Sequence, residues 1–274
     1  MEIGGHIFDT DKKCYIMGIL NVTPDSFSDG GNFNSIDSAL KHTEQMISEG
    51  MDIVDVGGES TRPGYTMISE AEETERVAPV IEAIKQRFDI PVSLDTYKYK
   101  VAEAGLSAGA DLINDIWGLR YDNGEMAKLL AKTGAACCLM HNRDNTDYAD
   151  FMADMICDMQ KSVDIALSAG ILRDRIIADP GVGFGKTYEN NLEAIDRIDE
   201  FGKALGLPVL LGASRKSVIG LTLDLPSDQR LEGTLAITVA GVMKGISFIR
   251  VHDVRENARA VKMTEAIMRG HRNG

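Results

Sequence analysis

One stretch of the chain decides the fold: Tyr15-Ile16-Met17-Gly18-Ile19-Leu20, followed directly by Asn21-Val22-Thr23-Pro24-Asp25-Ser26-Phe27-Ser28-Asp29-Gly30-Gly31. The first part is apolar and predicts a buried strand. The second part is polar and ends in glycines, which is typical of a loop that presents chemical groups rather than filling a core. About eight apolar runs along the chain are followed in this way by polar residues.

The other apolar runs are short, rich in Val, Ile and Leu, and separated by segments with helical periodicity. Because strands that are buried on both faces have this composition, the runs predict a parallel sheet. Strands and helices that alternate about eight times favour an α/β fold, namely a (β/α)8 TIM barrel. The predicted strands are Cys14–Leu20, Ile53–Val56, Pro91–Leu94, Leu112–Asn114, Ala136–Met140, Ile176–Ala178, Val209–Leu211 and Phe248–Val251.

The segment Met1–Phe8 precedes the first barrel strand and predicts an N-terminal β-hairpin that caps the bottom of the barrel. The rival architecture is an open doubly wound sheet, but the GxGxxG turn that usually follows its first strand is missing here. The sequence has no evident linker or low-complexity segment, so we expect one domain over residues 1–274.

Some helical segments carry signals for a boundary or a face. Ser69 with Glu72 predicts a capping box at the start of one helix, and Gly50 ends another. Two patterns predict packing: a buried apolar stripe of Leu192, Ile195, Ile198 and Leu205, and a small-residue face close to a strand made by Thr234, Ile237, Thr238 and Gly241.

The composition excludes several classes of function. The 274 residues carry a net charge of -13, with a pI of about 4.8, which argues against binding to nucleic acid or to a membrane surface. No signal-peptide pattern and no apolar run of membrane length is present, so we expect a soluble, cytoplasmic protein. In a reducing compartment the four cysteines are expected to be buried free thiols: Cys14, Cys137, Cys138 and Cys157.

The ends of the predicted strands carry the polar residues from which such barrels build their sites. Asp95, Asn114 and Asp179 are short side chains that offer acceptors and one amide donor to a flat, nitrogen-rich ring. A second set is cationic and suits phosphate or carboxylate: Arg62, Arg215, Lys216, Arg250 and His252. The two sets together indicate a heteroaromatic ligand that bears an anionic tail.

Structural roles for the same residues stay open. Asp95 could be a helix N-cap, Asn114 could hold a turn, and His141 is expected to be structural rather than catalytic. Gly185-Lys186-Thr187 is similar to the end of a phosphate-binding P-loop, but Pro180 occupies the position where that motif needs its first glycine. We therefore expect this glycine-rich turn to let the backbone approach a ligand closely and to position Phe184.

Several motifs resemble the dihydropteroate synthases, the folate-pathway family of pterin-binding enzymes that sulfonamides inhibit. They occur in the family's order across nearly the whole chain, and their specificity lies in the combination. The matching stretches are residues 18–31 (GILNVTPDSFSDGG), 55–64 (DVGGESTRPG), 114–115 (ND), 178–187 (ADPGVGFGKT), 214–216 (SRK) and 250–254 (RVHDV).

The resemblance implies a transferase that condenses 6-hydroxymethyl-7,8-dihydropterin diphosphate with 4-aminobenzoate, giving 7,8-dihydropteroate and diphosphate. It also implies magnesium as cofactor, a homodimer, and a single pterin-binding barrel domain. Four residues are implied to hold the pterin, a partly overlapping four to act in catalysis, and one to be the magnesium ligand. The residues that hold the pterin are Asp95, Asn114, Asp179 and Lys216; those that act in catalysis are Asp95, Asp179, Lys216 and Arg250; the metal ligand is Asn21.

The resemblance implies further contacts around these residues. Arg250 would stack its guanidinium on the pterin face and, with His252 and Asn21, would handle the diphosphate. Thr61 would contact the substrate from the second loop. The 4-aminobenzoate would be framed by Phe27, Arg62, Pro63, Phe184 and Ser217, with Lys216 and Ser217 near its carboxylate.

The hypothesis for the mechanism is a dissociative, SN1-like path. Magnesium on Asn21, with Arg250 and His252, would neutralise charge on the leaving diphosphate. Asp95 and Asp179 would favour positive charge on the pterin, so the weakly basic arylamine attacks without a strong base. Glycine pairs in the first two loops, Gly30-Gly31 and Gly57-Gly58, lead us to expect loops that become ordered when substrate binds.

The sequence departs from the family pattern at Asn142 and Trp117, which leaves the roles of these two residues open. Two rival functions share a pterin-binding barrel: a methyltetrahydrofolate-using methyltransferase and a non-catalytic pterin-binding module. A third rival, a barrel enzyme acting on sugar phosphates, would explain the cations but not the set of Asp95, Asn114 and Asp179.

Overall fold

Parallel strands run in chain order around a sheet that closes on itself. The computed structural model describes residues 1–22, 31–59 and 67–272, with the backbone alone for 31–35 and 271–272. Two short strands come first, β1 (Glu2–Ile3) and β2 (His6–Ile7). The barrel strands are β3 (Tyr15–Asn21), β4 (Ile53–Gly57), β5 (Val92–Asp95), β6 (Leu112–Asp115), β7 (Ala136–Met140), β8 (Ile176–Asp179), β9 (Leu210–Leu211) and β10 (Phe248–Val251).

The pairing of the strands shows a closed barrel. The order in the sheet is β8-β7-β6-β5-β4-β3-β10-β9, and all of these pairs are parallel. A parallel bridge between Ala178 and Val209 joins the two ends of this order. The predicted TIM barrel is therefore confirmed and the open doubly wound sheet is excluded, with strand ends that differ from the prediction by one residue at most.

Helices cover the outside of the barrel. They are α1 (Gly31–Glu49), α2 (Glu70–Arg87), α3 (Tyr99–Ser107), α4 (Glu125–Thr133), α5 (Phe151–Ala169), α6 (Tyr188–Asp196), α7 (Ile198–Leu205), α8 (Ser217–Leu223), α9 (Leu231–Met243) and α10 (Val254–Arg272). Gly50 follows α1 with a φ of 102°, a conformation that favours glycine. Ser69 caps α2 by accepting from Glu72 N at 3.2 Å. The Glu72 side chain pairs instead with Arg76, so the N-cap forms but the box is not completed from Glu72.

The N-terminal hairpin closes the bottom of the barrel, as predicted. β1 and β2 pair antiparallel, and Ile3 and Phe8 are buried. They pack against a layer of inward-facing side chains from the strands, namely Met17, Ile53, Leu112, Ala136, Cys138, Ile177, Leu210 and Phe248. The Phe8 ring centroid lies 4.8 Å from that of Tyr15 and 5.8 Å from that of Phe248. This end is therefore filled with apolar side chains, which leaves the opposite end for polar groups.

The outer layer confirms one packing prediction and corrects another. A Cβ atom added at Gly241 of α9 would lie 2.9 Å from Leu211 Cδ2, so the small-residue face does let this helix approach β9 closely. The predicted stripe on residues 192–205 is wrong at Leu192, which is exposed. The reason is that this segment forms two helices, α6 and α7, which meet at Arg197.

Cys14, Cys137 and Cys138 are buried free thiols, whereas Cys157 is exposed, contrary to the prediction. Cys157 lies on the outer face of α5, where a helix that covers a barrel meets solvent. Over the part of the chain that the structure describes, no helix has the length and apolar character needed to cross a membrane.

Candidate functional site

The strand register brings the predicted polar residues to one level at the mouth of the barrel. Side chains two residues apart along a strand face the same side, so the positions above the apolar layer also point inward. In neighbouring strands Asn21 is in register with Gly57, Gly57 with Asp95, and Asp95 with Asn114. Asp179 ends β8 in register with Met140. Asn21, Asp95, Asn114 and Asp179 therefore lie around one opening.

A buried ion network spans the mouth. Arg250 donates from Nε to Asp55 Oδ2 at 2.6 Å and from Nη2 to Asp95 Oδ2 at 2.7 Å. Ser93 donates to Asp55 Oδ1 at 2.5 Å. Burial alone would lower the pKa of Arg250, but Asp55 and Asp95 outweigh it and raise the pKa. The guanidinium is thus a permanent cation in a fixed orientation.

Asp55 is a residue that the sequence reasoning missed. It is fully buried in β4 and is the partner that holds Arg250. The signal was present in the sequence, since a carboxylate between Val54 and Val56 interrupts an apolar strand. A buried charge in such a strand needs a partner, and its inward position predicts one across the barrel.

Asp95 keeps one oxygen unpaired. Its Oδ1 is buried and has no hydrogen-bond partner among the residues that the structure describes. Burial raises the pKa of Asp95 to about 7, against the opposing effect of Arg250. Asp95 is not a helix cap, because α3 begins at Tyr99 with Lys98 at the N-cap position. The unpaired oxygen is therefore available to a donor on a ligand, and leaving it unpaired costs about 1–3 kcal/mol.

Asn114 is buried beside Asp95, and its neighbour Asp115 holds the turn. The Asp115 carboxylate accepts from Trp117 N and Leu119 N, both at 2.8 Å. The turn is therefore held by Asp115, and not by Asn114 as in the alternative interpretation of the sequence. Trp117 and Phe184 pack against a small apolar cluster near the mouth, formed by Tyr97, Ile116 and Met140.

Lys216 and Asp179 form the other side of the opening. Lys216 Nζ donates to Val182 O at 2.5 Å and lies 4.6 Å from the centre of the Phe184 ring. Burial lowers the pKa of Lys216 to about 8, although the carboxylate of Asp179 opposes this. Burial raises the pKa of Asp179, and Lys216 and the hydrogen bond from Gly181 N at 2.7 Å oppose it. The Lys216 ammonium can therefore donate a hydrogen bond to a ring bound in the mouth, and it can pair with an anion there.

Two further members of the cationic set, His252 and Arg215, differ in their surroundings. His252 lies at the end of β10, with Nδ1 3.0 Å from Ser214 Oγ. Arg215 has a φ of 58°, and its guanidinium is bound to both oxygens of Asp253, so it is not a rim cation as expected. Ser217 is exposed at the first residue of α8.

Four predicted contacts, Phe27, Thr61, Arg62 and Pro63, lie outside the described residues. Sequence reasoning also missed Lys98, which forms hydrogen bonds to the described residues on both sides of 60–66. Lys98 is buried, and its Nζ donates to Glu59 Oε2 at 2.5 Å, Glu73 Oε2 at 2.7 Å and Ile68 O at 2.9 Å. The lysine stands three residues after Asp95, which was the available signal.

Asn21 supplies a single neutral oxygen at the mouth. This oxygen, Oδ1, lies 3.6 Å from the place where a Cβ atom at Gly57 would stand, on the neighbouring strand β4. Within residues 1–22, 31–59 and 67–272, no group of three His, Cys, Asp or Glu side chains could hold a metal ion. Mg²⁺ prefers oxygen donors and commonly takes its other ligands from water and substrate phosphates. Asn21 thus fits a magnesium ion that is carried by a phosphorylated substrate.

His141 and Asn142 are buried behind the mouth. Burial and the nearby cation of Lys186 lower the pKa of His141 to about 3, so the imidazole is neutral. The Asn142 carbonyl accepts from Arg120 Nη2 at 2.7 Å. The structural role expected for His141 agrees with this placement.

Comparisons with known proteins agree with one another. A family model described as "Pterin binding enzyme" matches residues 17–252. A dihydropteroate synthase of Clostridium beijerinckii is 59% identical over 270 residues, covering 98% of this chain and 100% of the relative. A crystal structure of a dihydropteroate synthase from Clostridium difficile, in the presence of pteroic acid, has a TM-score of 0.92 and 51% identity. It covers 95% of this chain and 99% of that one.

A second solved structure is that of the Yersinia pestis dihydropteroate synthase in complex with a sulfonamide drug. It has a TM-score of 0.90 and 42% identity, and it covers 98% of this chain and 99% of that one. The family model and the relatives cover the barrel and every strand end described above. The chain therefore belongs to the pterin-binding enzyme family and, within it, to the dihydropteroate synthases.

Proposed function

We propose that the protein is a transferase that condenses 6-hydroxymethyl-7,8-dihydropterin diphosphate with 4-aminobenzoate and releases diphosphate. The observation that carries this proposal is the unpaired, buried Oδ1 of Asp95 at the level of Asn114 and close to Arg250. A flat ring with several N–H donors satisfies such an acceptor. The relatives that are dihydropteroate synthases, at up to 59% identity in the matches above, support the same reaction.

The pterin would lie in the mouth between Asp95, Asn114 and Asp179. Lys216 would hold it from the side of β9, where its ammonium is already fixed by Val182 O. The guanidinium of Arg250 is held in place by Asp55 and Asp95, which suits stacking on the pterin face without reorganisation when substrate binds. These residues touch the ring in this proposal and are its catalytic residues: Asp95, Asp179, Lys216 and Arg250.

The carbon–oxygen bond to diphosphate would break by a dissociative path. Asp95 and Asp179, when ionised, favour positive charge on the pterin. Arg250 and His252 would offset negative charge on the leaving diphosphate, and Asn21 Oδ1 would help to hold magnesium there. When bound, magnesium supplies further charge neutralisation at the diphosphate. The arylamine then attacks without a strong base.

The 4-aminobenzoate would lie against Phe184, with Lys216 and Ser217 near its carboxylate. Phe27, Arg62 and Pro63 would complete this part of the site, and Thr61 would contact the substrate from the same loop. The Yersinia pestis relative that holds a sulfonamide drug supports a site for an aromatic amine in this family. The Phe184 ring beside the Lys216 ammonium provides an apolar face next to a cation, which suits an aromatic carboxylate.

A homodimer and a cytoplasmic location belong to the same proposal. Helices α6, α8 and α9 pack together, and each exposes a large apolar side chain. Leu192 is 41% exposed, Leu221 68% and Met243 63%. Apolar side chains on neighbouring surface helices are typical of an interface. We expect a dimer mass in sedimentation, and a monomer for Leu221→Glu; a monomeric wild type would contradict the dimer.

The test is diphosphate release from the pterin diphosphate with magnesium, with and without 4-aminobenzoate. We expect release that depends on 4-aminobenzoate and a coupled pteroate product. Lys216→Ala should lose pterin binding and activity while circular dichroism is unchanged, and the surface variant Lys203→Ala should behave as wild type. Pterin binding without release would favour the methyltransferase or the non-catalytic module, and absence of pterin binding would overturn the proposal.

A further inference from the structure

Lys186 ties the turn that carries Phe184 to the neighbouring strand end. Its Nζ lies 3.0 Å from Gly181 O, 3.0 Å from Phe184 O and 2.9 Å from His141 Nδ1. Gly181 and Phe184 belong to the turn after β8, whereas His141 follows β7. One ammonium group thus closes the turn on itself and binds it to the adjacent loop.

The protons of this contact can be counted. A lysine ammonium has three N–H donors and no acceptor, and here it meets three atoms that can accept. While Lys186 is an ammonium, as at pH 6, His141 Nδ1 must therefore be bare, with the proton of the neutral imidazole on Nε2. Nε2 lies 3.5 Å from Asp158 Oδ2 and makes no hydrogen bond to any residue that the structure describes. The contact accordingly specifies one tautomer of a fully buried histidine.

The same turn has a second tie and a tight backbone. Tyr148 donates from its hydroxyl to Gly185 O at 2.6 Å. A Cβ atom added at Gly185 would lie 2.6 Å from Arg143 O, so this residue must be glycine for the turn to reach the β7–α5 loop. Between these ties the turn presents Val182 O and the Phe184 ring, the two groups that contact Lys216.

We propose that Lys186 is a positioning residue for 4-aminobenzoate. By binding Gly181 O, Phe184 O and His141 Nδ1, it holds the Phe184 ring beside the Lys216 ammonium and so shapes the face on which the aromatic amine lies. Lys186 itself touches no substrate. This inference rests on the proposed function, because it assigns a consequence to the placement of Phe184.

The experiment compares Lys186→Met with wild type in the full-length protein. Losing this anchor should raise KM for 4-aminobenzoate about tenfold or more, in line with two or more hydrogen bonds. The Kd of the pterin diphosphate should rise by a smaller factor, because Lys186 bonds to none of the four pterin residues and Asp179 keeps its own hydrogen bond from Gly181 N. Tyr148→Phe removes the other tie without altering charge and should raise the same KM about fivefold.

Lys203→Met is the matched control, since it removes an exposed lysine that pairs with Asp199 on α7. It should leave both constants at their wild-type values. Nitrogen-15 NMR of the wild-type protein at pH 6 supplies a readout that needs no turnover. We expect His141 to be neutral with a bare Nδ1 and a proton on Nε2.

Each outcome decides the inference. A proton on His141 Nδ1 at pH 6 would overturn the contact. The wild type could turn over normally while neither Lys186→Met nor Tyr148→Phe changes the KM for 4-aminobenzoate. This result would overturn the positioning role and leave the proposed function standing. A wild-type protein without turnover dependent on 4-aminobenzoate would overturn the proposed function, and the role with it. If Lys186→Met does not fold, Tyr148→Phe and the tautomer still decide.

Discussion

Lys98 and Lys186 are two enclosed lysines near the mouth of one barrel, and their surroundings differ in charge. The ammonium of Lys98 binds two carboxylates, Glu59 and Glu73, and one carbonyl. That of Lys186 binds two carbonyls and a neutral imidazole. Both tie the ends of a loop to a neighbouring strand end, but only Lys98 is compensated by directly bonded opposite charge.

The difference is visible in the pKa values. Burial would lower the pKa of Lys98, but its hydrogen bonds to Glu59 and Glu73 outweigh burial and raise the pKa. Burial lowers the pKa of Lys186 to about 7, and the more distant carboxylate of Asp179 does not restore it. The comparison teaches that the charge of the bonded partners decides whether an enclosed lysine is a permanent cation or a group that titrates near neutral pH.

The largest expected effect is the loss of stability in Lys98→Met. It leaves two buried carboxylates without their cation, which costs about 3–5 kcal/mol of unfolding free energy. Urea denaturation followed by circular dichroism measures the change. Adding Glu73→Gln should recover part of the loss by removing one charge. A loss below about 1 kcal/mol in the single variant would mean that the network is no more than a surface ion pair.

Lys186→Met should lower the unfolding free energy by about 1–3 kcal/mol in the same urea experiment, which is a smaller loss than that of Lys98→Met. The variant leaves two carbonyls and an imidazole nitrogen unpaired but uncovers no charge. Lys203→Met, on the exposed face of α7, should change the unfolding free energy by less than about 0.5 kcal/mol. Equal losses of unfolding free energy in Lys98→Met and Lys186→Met would contradict the comparison, because the charge of the bonded partners would then have no effect on stability.

The two lysines should also respond to pH with opposite signs. The folded-state pKa of Lys186 lies below its unfolded value of about 10.4, so between about pH 7 and 10 the unfolded chain binds more protons. Wild type should therefore gain stability over Lys186→Met as pH rises through this window. For Lys98 the folded pKa is raised, so its contribution is fully present below the unfolded pKa and is lost as pH rises through the folded one.

Urea midpoints at several values of pH across this window measure the response. A difference between wild type and Lys186→Met that falls with rising pH would contradict the assigned sign. For Lys98→Met the difference should stay constant until the pH nears about 10.

The smallest expected effect is the pH dependence of pterin binding, and it depends on a buried carboxylate, Asp95, rather than on a lysine. Burial raises the pKa of Asp95 to about 7, so the acceptor form becomes populated as pH rises through this value. Pterin affinity should rise about tenfold between pH 6 and pH 8, and binding to Asp95→Asn should lack this dependence. Calorimetric titration with the pterin at both values of pH measures it. An affinity that is the same at pH 6 and pH 8 would contradict a change in the ionisation of Asp95 that matters for pterin binding in this range.

Much of the site could be read from the chain because its position depends on local rules. Strands with period two and polar residues directly after them place Asn21, Asp95, Asn114 and Asp179 at one end of a parallel barrel. The contacts of Phe27, Thr61, Arg62 and Pro63, and the substrate roles of all these residues, stay predictions. Arg215 was misplaced, because its guanidinium is paired with Asp253, 38 residues away along the chain.

The sequence by itself determined the barrel, its hairpin and the level at which the polar residues lie, since each follows from periodicity within a few residues. The tertiary structure alone decided the partners. Asp55 and Arg250 are 195 residues apart, and Lys98 and Glu73 are 25 apart, with no sequence spacing that links them. It also decided the pKa values of Asp95, Lys186 and Lys216. Those values depend on how much water the packed chain removes from each group and on which charges it brings close, and neither quantity exists before the chain folds.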